Sequence, residues 1–163
     1  MTTAIQTACE TLGWPQGLRP LQAEVMDAIM AGDDVMAVLA TGGGKSGLYQ
    51  VPALARPGLV VVVSPLIALM LDQQQRLEAH GVAVGSLHSQ RTAPQRREDL
   101  ERLKSGQLDI VYLSPEKLAS LDPRTLDGVE VQLIAVDEAH CASAWGHDFR
   151  PSYGRIGKSL DAL

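Results

Sequence analysis

Two carboxylates standing side by side after an apolar run are the residues best placed to do chemistry: Asp137 and Glu138 directly follow Leu133-Ile-Ala-Val136. Acids delivered by a buried strand are costly unless a cation or hydrogen-bond donors compensate them. Compensating groups stand earlier in the chain. A second apolar run, Val35-Met-Ala-Val-Leu39, empties into Ala40-Thr41-Gly42-Gly43-Gly44-Lys45-Ser46. Glycines let a loop adopt positive φ and approach phosphates without a Cβ in the way. Their N–H groups, with the start of a following helix, form an anion nest. Lys45 would reach the β- and γ-phosphates of a nucleotide, and the Ser46 hydroxyl would ligate Mg²⁺. Asp137 would hold that Mg²⁺ through its water shell, while Glu138 would orient and deprotonate an attacking water. The two segments together read as a nucleoside-triphosphate hydrolysis site. The blander readings are a tight strand-to-helix turn with an incidental lysine, and an aspartate that merely caps a helix. Leu39 stands where the phosphate-loop pattern begins with glycine. His140, two residues past the acids, reads either as a satisfied core histidine or as a bridge from the hydrolysis site to something beyond.

Positioning these groups requires strands that end together. The pattern gives strands at Val35–Leu39, Leu59–Val63, Ala83–Leu87, Ile110–Leu113 and Leu133–Val136, with helices at Lys45–Ala53, Ile67–His80, Ala93–Ser105 and Pro115–Leu121 between them. The runs Leu59-Val-Val-Val-Val63 and Leu133-Ile-Ala-Val136 are apolar throughout, as expected of strands covered on both faces. Such alternation predicts right-handed crossovers and a mostly parallel sheet with helices on both faces. A short helical region, Thr2–Leu12 and Pro20–Ala31, precedes it and is broken by Gly13, Pro15 and Gly17. The last segment, Tyr153–Leu163, reads as a helix with Ile156, Leu160 and Leu163 at helical spacing. In an alternating architecture that helix should feed a further strand, so the expectation is one domain over 1–163, truncated at its C-terminal end.

Composition narrows the class without naming a function. A chain of 163 residues, 45% hydrophobic and 20% charged, suits a single globular domain. Its formal net charge of −5 argues against a broad nucleic-acid-binding surface and leaves room for a local groove. Cys9 and Cys141 give neither a disulfide framework nor paired zinc spacing. No signal-peptide pattern opens the chain and no apolar run reaches the ~18 residues of a membrane span, so the expected location is cytoplasmic, with no membrane partner.

One loop remains. Trp145-Gly-His147-Asp-Phe149-Arg150-Pro151 holds the only Phe and one of the two Trp of the chain. Aromatics interleaved with His and Arg beside catalytic acids can stack bases and bind phosphates. The alternative is that Trp145 and Phe149 simply tuck into the core.

With these residues in view, the sequence closely resembles the first RecA-like motor lobe of the RecQ-family DNA helicases of superfamily 2, from about Leu12 to Leu163. The resemblance implies that Trp14 and Arg19 flank an adenine and that Gln22 reads its edge, within Leu18-Arg-Pro-Leu-Gln22 where the family usually has Phe-Arg-x-x-Gln. An amide can pair with both N6 and N7 of adenine. ATP and Mg²⁺ are then the cofactors, bound by Thr41, Gly42, Gly43, Gly44, Lys45 and Ser46, with Ser46 and Asp137 as metal ligands and Lys45, Asp137, Glu138 and His140 as the catalytic set. Ser64, Pro65 and Gln73 resemble the first DNA-contacting motif; Ser89 and Gln90, and then Ser114, resemble two more. His88 stands where the family usually has Asn. Trp145, His147, Phe149 and Arg150 resemble the loop that couples strand binding to hydrolysis, with Ala144 in place of a usual Gln.

What the resemblance implies for the whole is an ATP-dependent 3′→5′ DNA helicase acting in recombination or repair, with single-stranded and partly duplex DNA as partners. The family's second motor lobe, which supplies arginines to the γ-phosphate, is absent from the chain, so the isolated lobe is expected to bind nucleotide weakly and not to unwind. Two other readings stay open: an RNA helicase or other superfamily 2 lobe, and a non-catalytic nucleotide- or partner-binding module. Oligomeric state is not legible.

Overall fold

The computed structural model describes residues 2–40, 42–143 and 150–161. Four strands form one all-parallel sheet in the order β2-β3-β1-β4: β1 Leu59–Val63, β2 Val84–Leu87, β3 Ile110–Leu113 and β4 Val131–Val136. The helices are α1 Thr2–Thr11, α2 Pro20–Ala31, α3 Gly47–Ala55, α4 Ile67–Ala79, α5 Ala93–Lys104, α6 Pro115–Ala119 and α7 Ile156–Leu160. Parallel strands need crossovers, and α4, α5 and the α6 region supply them.

Period-two geometry divides the core into two layers. Val60, Val62, Val84, Ile110 and Tyr112 face one side, where they meet Met26, Val51, Met70 and Leu77 from α2, α3 and α4. Leu59, Val61, Val63, Val111 and Leu113 face the other, against Leu103, Leu118 and Ile156 from α5, α6 and α7. β1 is central and buried along its whole length, and each such valine contributes roughly 1.5–3 kcal/mol relative to an exposed one. A bulge between Leu59 and Val60 sets the β1–β4 register. There Gln132 donates to the Arg56 and Gly58 carbonyls and accepts from Arg56 Nε at 2.7 Å, fastening the entry into β1.

Local signals explain the helix ends. Thr92 accepts from the Gln95 amide while Gln95 accepts from Thr92, a capping box that starts α5 behind Pro94. Ser114 caps α6 by accepting from Lys117 N at 3.2 Å. Gly32, with φ 89°, ends α2 in the left-handed conformation.

The α/β class, the parallel sheet and four of five expected strands are present. The fifth is corrected: Val35–Leu39 is extended but is not paired into the sheet. Ala37 and Leu39 pack against the core, while Met36 and Val38 are each 86% exposed. The run alternates like a strand without a ladder partner, because a groove lined by Val35, Ala37, Leu133 and Ala135 separates it from β4. For the same reason β4 is only half-buried along Val131–Ala135 and exposed at Val136, not covered on both faces as its apolar run implied. The expected helix over Tyr153–Leu163 forms as a 3-10 turn, Pro151–Arg155, followed by the short α7.

Candidate functional site

The residues that carry chemistry gather where parallel strands end, the edge at which open α/β sheets bind ligands. Asp137 follows β4, Ser64 and Pro65 follow β1, Ser114 follows β3, and Ser89 and Gln90 lie just beyond β2. Sheet order therefore lays them out as Gln90, Ser114, Ser64 and Asp137 along one edge.

The phosphate loop enters α3 through Ser46. Gly42 and Gly44 have φ of 76° and 78°, the left-handed region that glycine tolerates. A Cβ at Gly43 would sit 2.7 Å from the Ala40 carbonyl, and one at Gly44 would sit 2.3 Å from Gln22 Nε2, so these two positions have no room for a side chain, whereas Gly42 faces open space. Two groups from the start of α2 clasp it from outside. Gln22 Nε2 donates to the Gly44 carbonyl at 2.9 Å, and Arg19 Nη1 donates to the Gly42 carbonyl at 3.2 Å. Gln22 Oε1 accepts from Arg19 N at 2.8 Å, so both ends of this amide are engaged with the protein. Trp14, half-buried, closes against Gly47, and Trp14, Arg19, Gln22 and Gly44 share one cavity. The structure thus brings together the three residues assigned to a base and ties two of them directly to the phosphate loop.

A second cavity is lined by Gly42, Gly44, Lys45, Ser46, Asp137 and Glu138, together with Tyr49, Leu69 and Gln73. Here the two sequence segments meet. Burial raises the Asp137 carboxyl above the usual carboxylate range and the Glu138 charge adds to this, while the Glu138 amide, Lys45 and His140 act the other way. A carboxylate so placed gains most from a cation. A magnesium ion held by Ser46 and Asp137 with phosphate oxygens fits this donor set, all oxygen and sparing in protein ligands.

Glu138 has φ 55°, and it is the only non-glycine residue with positive φ among the described residues. Such a conformation costs on the order of 1–3 kcal/mol and persists where surrounding contacts over-determine it. The contacts are visible. Glu138 N donates to Asp137 Oδ1 at 2.9 Å, and His140 Nδ1 lies 3.2 Å from Glu138 Oε2. From the far side, Tyr153 OH donates to the Asp137 carbonyl at 2.6 Å, and Arg150 N donates to the Cys141 carbonyl at 2.9 Å. Residues 150–155 therefore dock onto the acidic strand end, a contact that no sequence spacing announced.

The residues expected to contact nucleic acid divide by exposure. Ser89, Gln90 and Arg150 are exposed, whereas Ser64, Pro65 and Ser114 are buried. Ser64 N donates to the Leu113 carbonyl at 3.0 Å, and its hydroxyl accepts from Leu66 N at 3.4 Å, so it shapes the turn into α4. Gln73 is half-buried, and its amide oxygen points inward to Tyr49 and Tyr112. Thr41, Trp145, His147 and Phe149 lie outside the described residues. Tyr49 was missed by sequence reasoning; its signal was its place in the first turn of α3, three residues past Ser46.

The DEAD/DEAH box helicase family matches residues 19–162. The ATP-dependent DNA helicase RecQ of Haemophilus influenzae is 44% identical over 156 residues, covering 95% of this chain and 25% of the relative. RecQ of Synechocystis sp. is 48% identical over 139 residues, 83% of this chain and 29% of the relative. The ATP-dependent helicase SGS1 of Saccharomyces cerevisiae is 42% identical over 150 residues, 86% of this chain and 10% of the relative. The chain spans about a quarter of the length of the RecQ relatives it matches. No helix among the described residues is long and apolar enough to cross a membrane. With the phosphate loop, the strand-end acids and these matches in agreement, the chain belongs to the DEAD/DEAH box helicase family, alongside its RecQ helicases.

Proposed function

We propose that this chain is the ATP-binding motor lobe of an ATP-dependent DNA helicase, with single-stranded and partly duplex DNA as its substrates and 3′→5′ movement. The observation that carries the reading is the single cavity shared by Lys45, Ser46, Asp137 and Glu138, at the strand-end edge that also bears Ser64, Ser89, Gln90 and Ser114.

MgATP supplies the scissile phosphoanhydride bond and the cation that offsets its charge. The protein's own groups do the rest. The Gly42–Gly44 backbone receives the phosphates, and Lys45 neutralises charge on them. Ser46 and Asp137 hold the cation. Glu138, aimed by its αL backbone and steadied by His140, orients a water and takes its proton. Trp14 and Arg19 provide a face and a charge for the base, and Gln22 links base recognition to loop shape through Gly44. Along the sheet edge Ser89, Gln90 and Arg150 would contact the strand, with Trp145, His147 and Phe149 coupling it to hydrolysis. An arginine finger supplied by a second motor lobe is worth ~10³–10⁵ in rate, and none acts from this lobe in the proposed arrangement. The same reading makes recombination and repair the process served and the cytoplasm its place.

The test is a MgATP titration of the chain, with steady-state ATP hydrolysis measured with and without single-stranded DNA. Binding with little DNA-stimulated turnover supports a lone motor lobe. Absence of MgATP binding, or duplex unwinding by this chain alone, overturns the proposal.

A further inference from the structure

Gln73 was expected to touch DNA, yet its oxygen is spent elsewhere. Oε1 accepts from Tyr49 OH at 2.7 Å, from Tyr112 OH at 2.8 Å and from Gln50 Nε2 at 3.4 Å. An amide oxygen has two lone pairs. Three donors therefore compete for two places, with Gln50 the long contact. The donors come from separate elements: Tyr49 and Gln50 from α3, Tyr112 from β3, while Gln73 sits on α4. The two phenol rings pack edge to face, with centroids 6.3 Å apart at 81°. Both are buried, Tyr49 at 6% and Tyr112 at 1% exposure, and burial raises both hydroxyls, that of Tyr112 to about 12. Both thus remain donors at any pH near neutrality.

Location gives this junction its meaning. Tyr49 lies three residues past Ser46, in the first turn of the helix that carries the phosphate loop. Tyr49 and Gln73 line the same cavity as Lys45, Ser46, Asp137 and Glu138. Gln73 belongs to α4, which begins directly after the Ser64–Pro65 turn on the strand-binding edge. The two helices that serve the two ligands are thus joined through one oxygen atom.

We propose that Gln73 is a positioning residue that couples the two sites, with the Tyr49–Gln73–Tyr112 junction tying the strand-binding end of α4 to the phosphate-loop turn of α3. The inference rests on the motor-lobe reading above. Coupling needs an element with two discrete arrangements that both ligands bias. Competition of three donors for two lone pairs supplies them: either both tyrosines hold Oε1, or Gln50 replaces Tyr49 and frees that hydroxyl toward the cavity holding Asp137 and Glu138.

The experiment is titration of the chain with a fluorescent, slowly hydrolysed MgATP analogue, with and without saturating oligothymidylate. In the wild-type chain the oligonucleotide shifts analogue affinity by about fivefold or more, the lower end of usual coupling between sites. In Tyr49→Phe and in Gln73→Leu this ratio falls to near one, whatever happens to either affinity alone. Tyr112→Phe leaves two donors for two lone pairs and so ends the competition, which lowers the ratio as well and, by removing a buried donor, lowers the unfolding temperature. A ratio that survives in both Tyr49→Phe and Gln73→Leu overturns the proposal, as does a wild-type chain that binds both ligands without coupling. A wild-type chain that fails to bind one of them overturns the motor-lobe reading instead, and the inference with it.

Discussion

Ile110 and Ile134 lie in the same parallel sheet, in β3 and β4, and pair with adjacent residues of β1 from opposite sides. Ile110 is fully buried, while Ile134 is half-buried. The β2–β3 flank is closed: every residue of both strands is buried, and α4 and α5 pack over them. The β4 flank is open, with a groove beside it and the unpaired Val35–Leu39 segment across that groove. The strands of the closed flank carry no group of the phosphate site, whereas the open one holds Lys45 and Asp137. Stability and chemistry are thus concentrated on different sides of β1.

Matched substitutions give the sharpest test of that division. Ile110→Ala should cost ~2–5 kcal/mol, the range for a fully buried aliphatic side chain cut to Ala. Ile134→Ala should cost about half as much or less, because less of its surface leaves water and its site can relax into the groove. Chemical denaturation of both variants measures the pair. Equal losses would mean that the β4 flank is covered in solution and would erase the distinction.

Lys45→Ala probes the other half of the comparison. Losing a charge-assisted contact to phosphate, worth ~1.5–3 kcal/mol, should weaken MgATP binding roughly tenfold or more. Lys45 is exposed, so unfolding midpoints should stay within about 0.5 kcal/mol of wild type. Isothermal titration and thermal unfolding on one preparation separate the two effects. A stability loss as large as that of Ile110→Ala would contradict the assignment of Lys45 to chemistry alone.

The closed flank also holds a buried polar cluster with a pH signature. Asp99, 2% exposed, pairs with Arg91, accepts from Ser86 N at 3.2 Å and lies 3.7 Å from Arg102. His88 sits beside it, 2% exposed, its Nε2 without a hydrogen-bond partner. Burial first, and then the Arg91 charge, lower the His88 pKa, with Asp99 opposing. The imidazole is therefore neutral in the fold at pH values where the unfolded chain, at ~6.5, already takes up a proton. There the unfolded state binds more protons, so stability rises with pH and is lost as pH falls below about 6.5. His88→Asn should flatten that slope in unfolding experiments between neutral and mildly acidic pH. An unchanged slope would remove His88 from the account.

Legibility followed the same division. On the closed flank each strand is covered by the helices its own sequence announces, so apolar runs and caps such as Thr92–Gln95 were enough to read it. The residues proposed for hydrolysis were also plain to single out, because Gly-Gly-Gly-Lys-Ser and Asp-Glu are contiguous and chemically pointed. Val35–Leu39 was not readable, since an apolar pentad states that a strand is possible and says nothing about who pairs with it. Gln73 was only partly readable for a related reason. An amide near the strand ends suits DNA, and only the fold shows two tyrosines, 24 residues before it and 39 after, converging on its oxygen. Tyr153 was likewise silent until the chain folded back onto Asp137.

The smallest expected effect tests the open flank directly. Met36 and Val38 are each 86% exposed, and neither loses hydrophobic contact when made polar. Met36→Ser with Val38→Ser should therefore leave stability within about 0.5 kcal/mol of wild type in denaturant unfolding at low concentration. An unpaired extended segment with outward apolar side chains is also a template for strand pairing between molecules. The double variant should accordingly stay monomeric to higher concentration than wild type in sedimentation. A loss well above 1 kcal/mol at low concentration would show that these side chains are buried within the monomer and that the segment is a paired strand after all. The groove beside β4 would then be closed in solution, and the two flanks of β1 would differ in chemistry but not in cover.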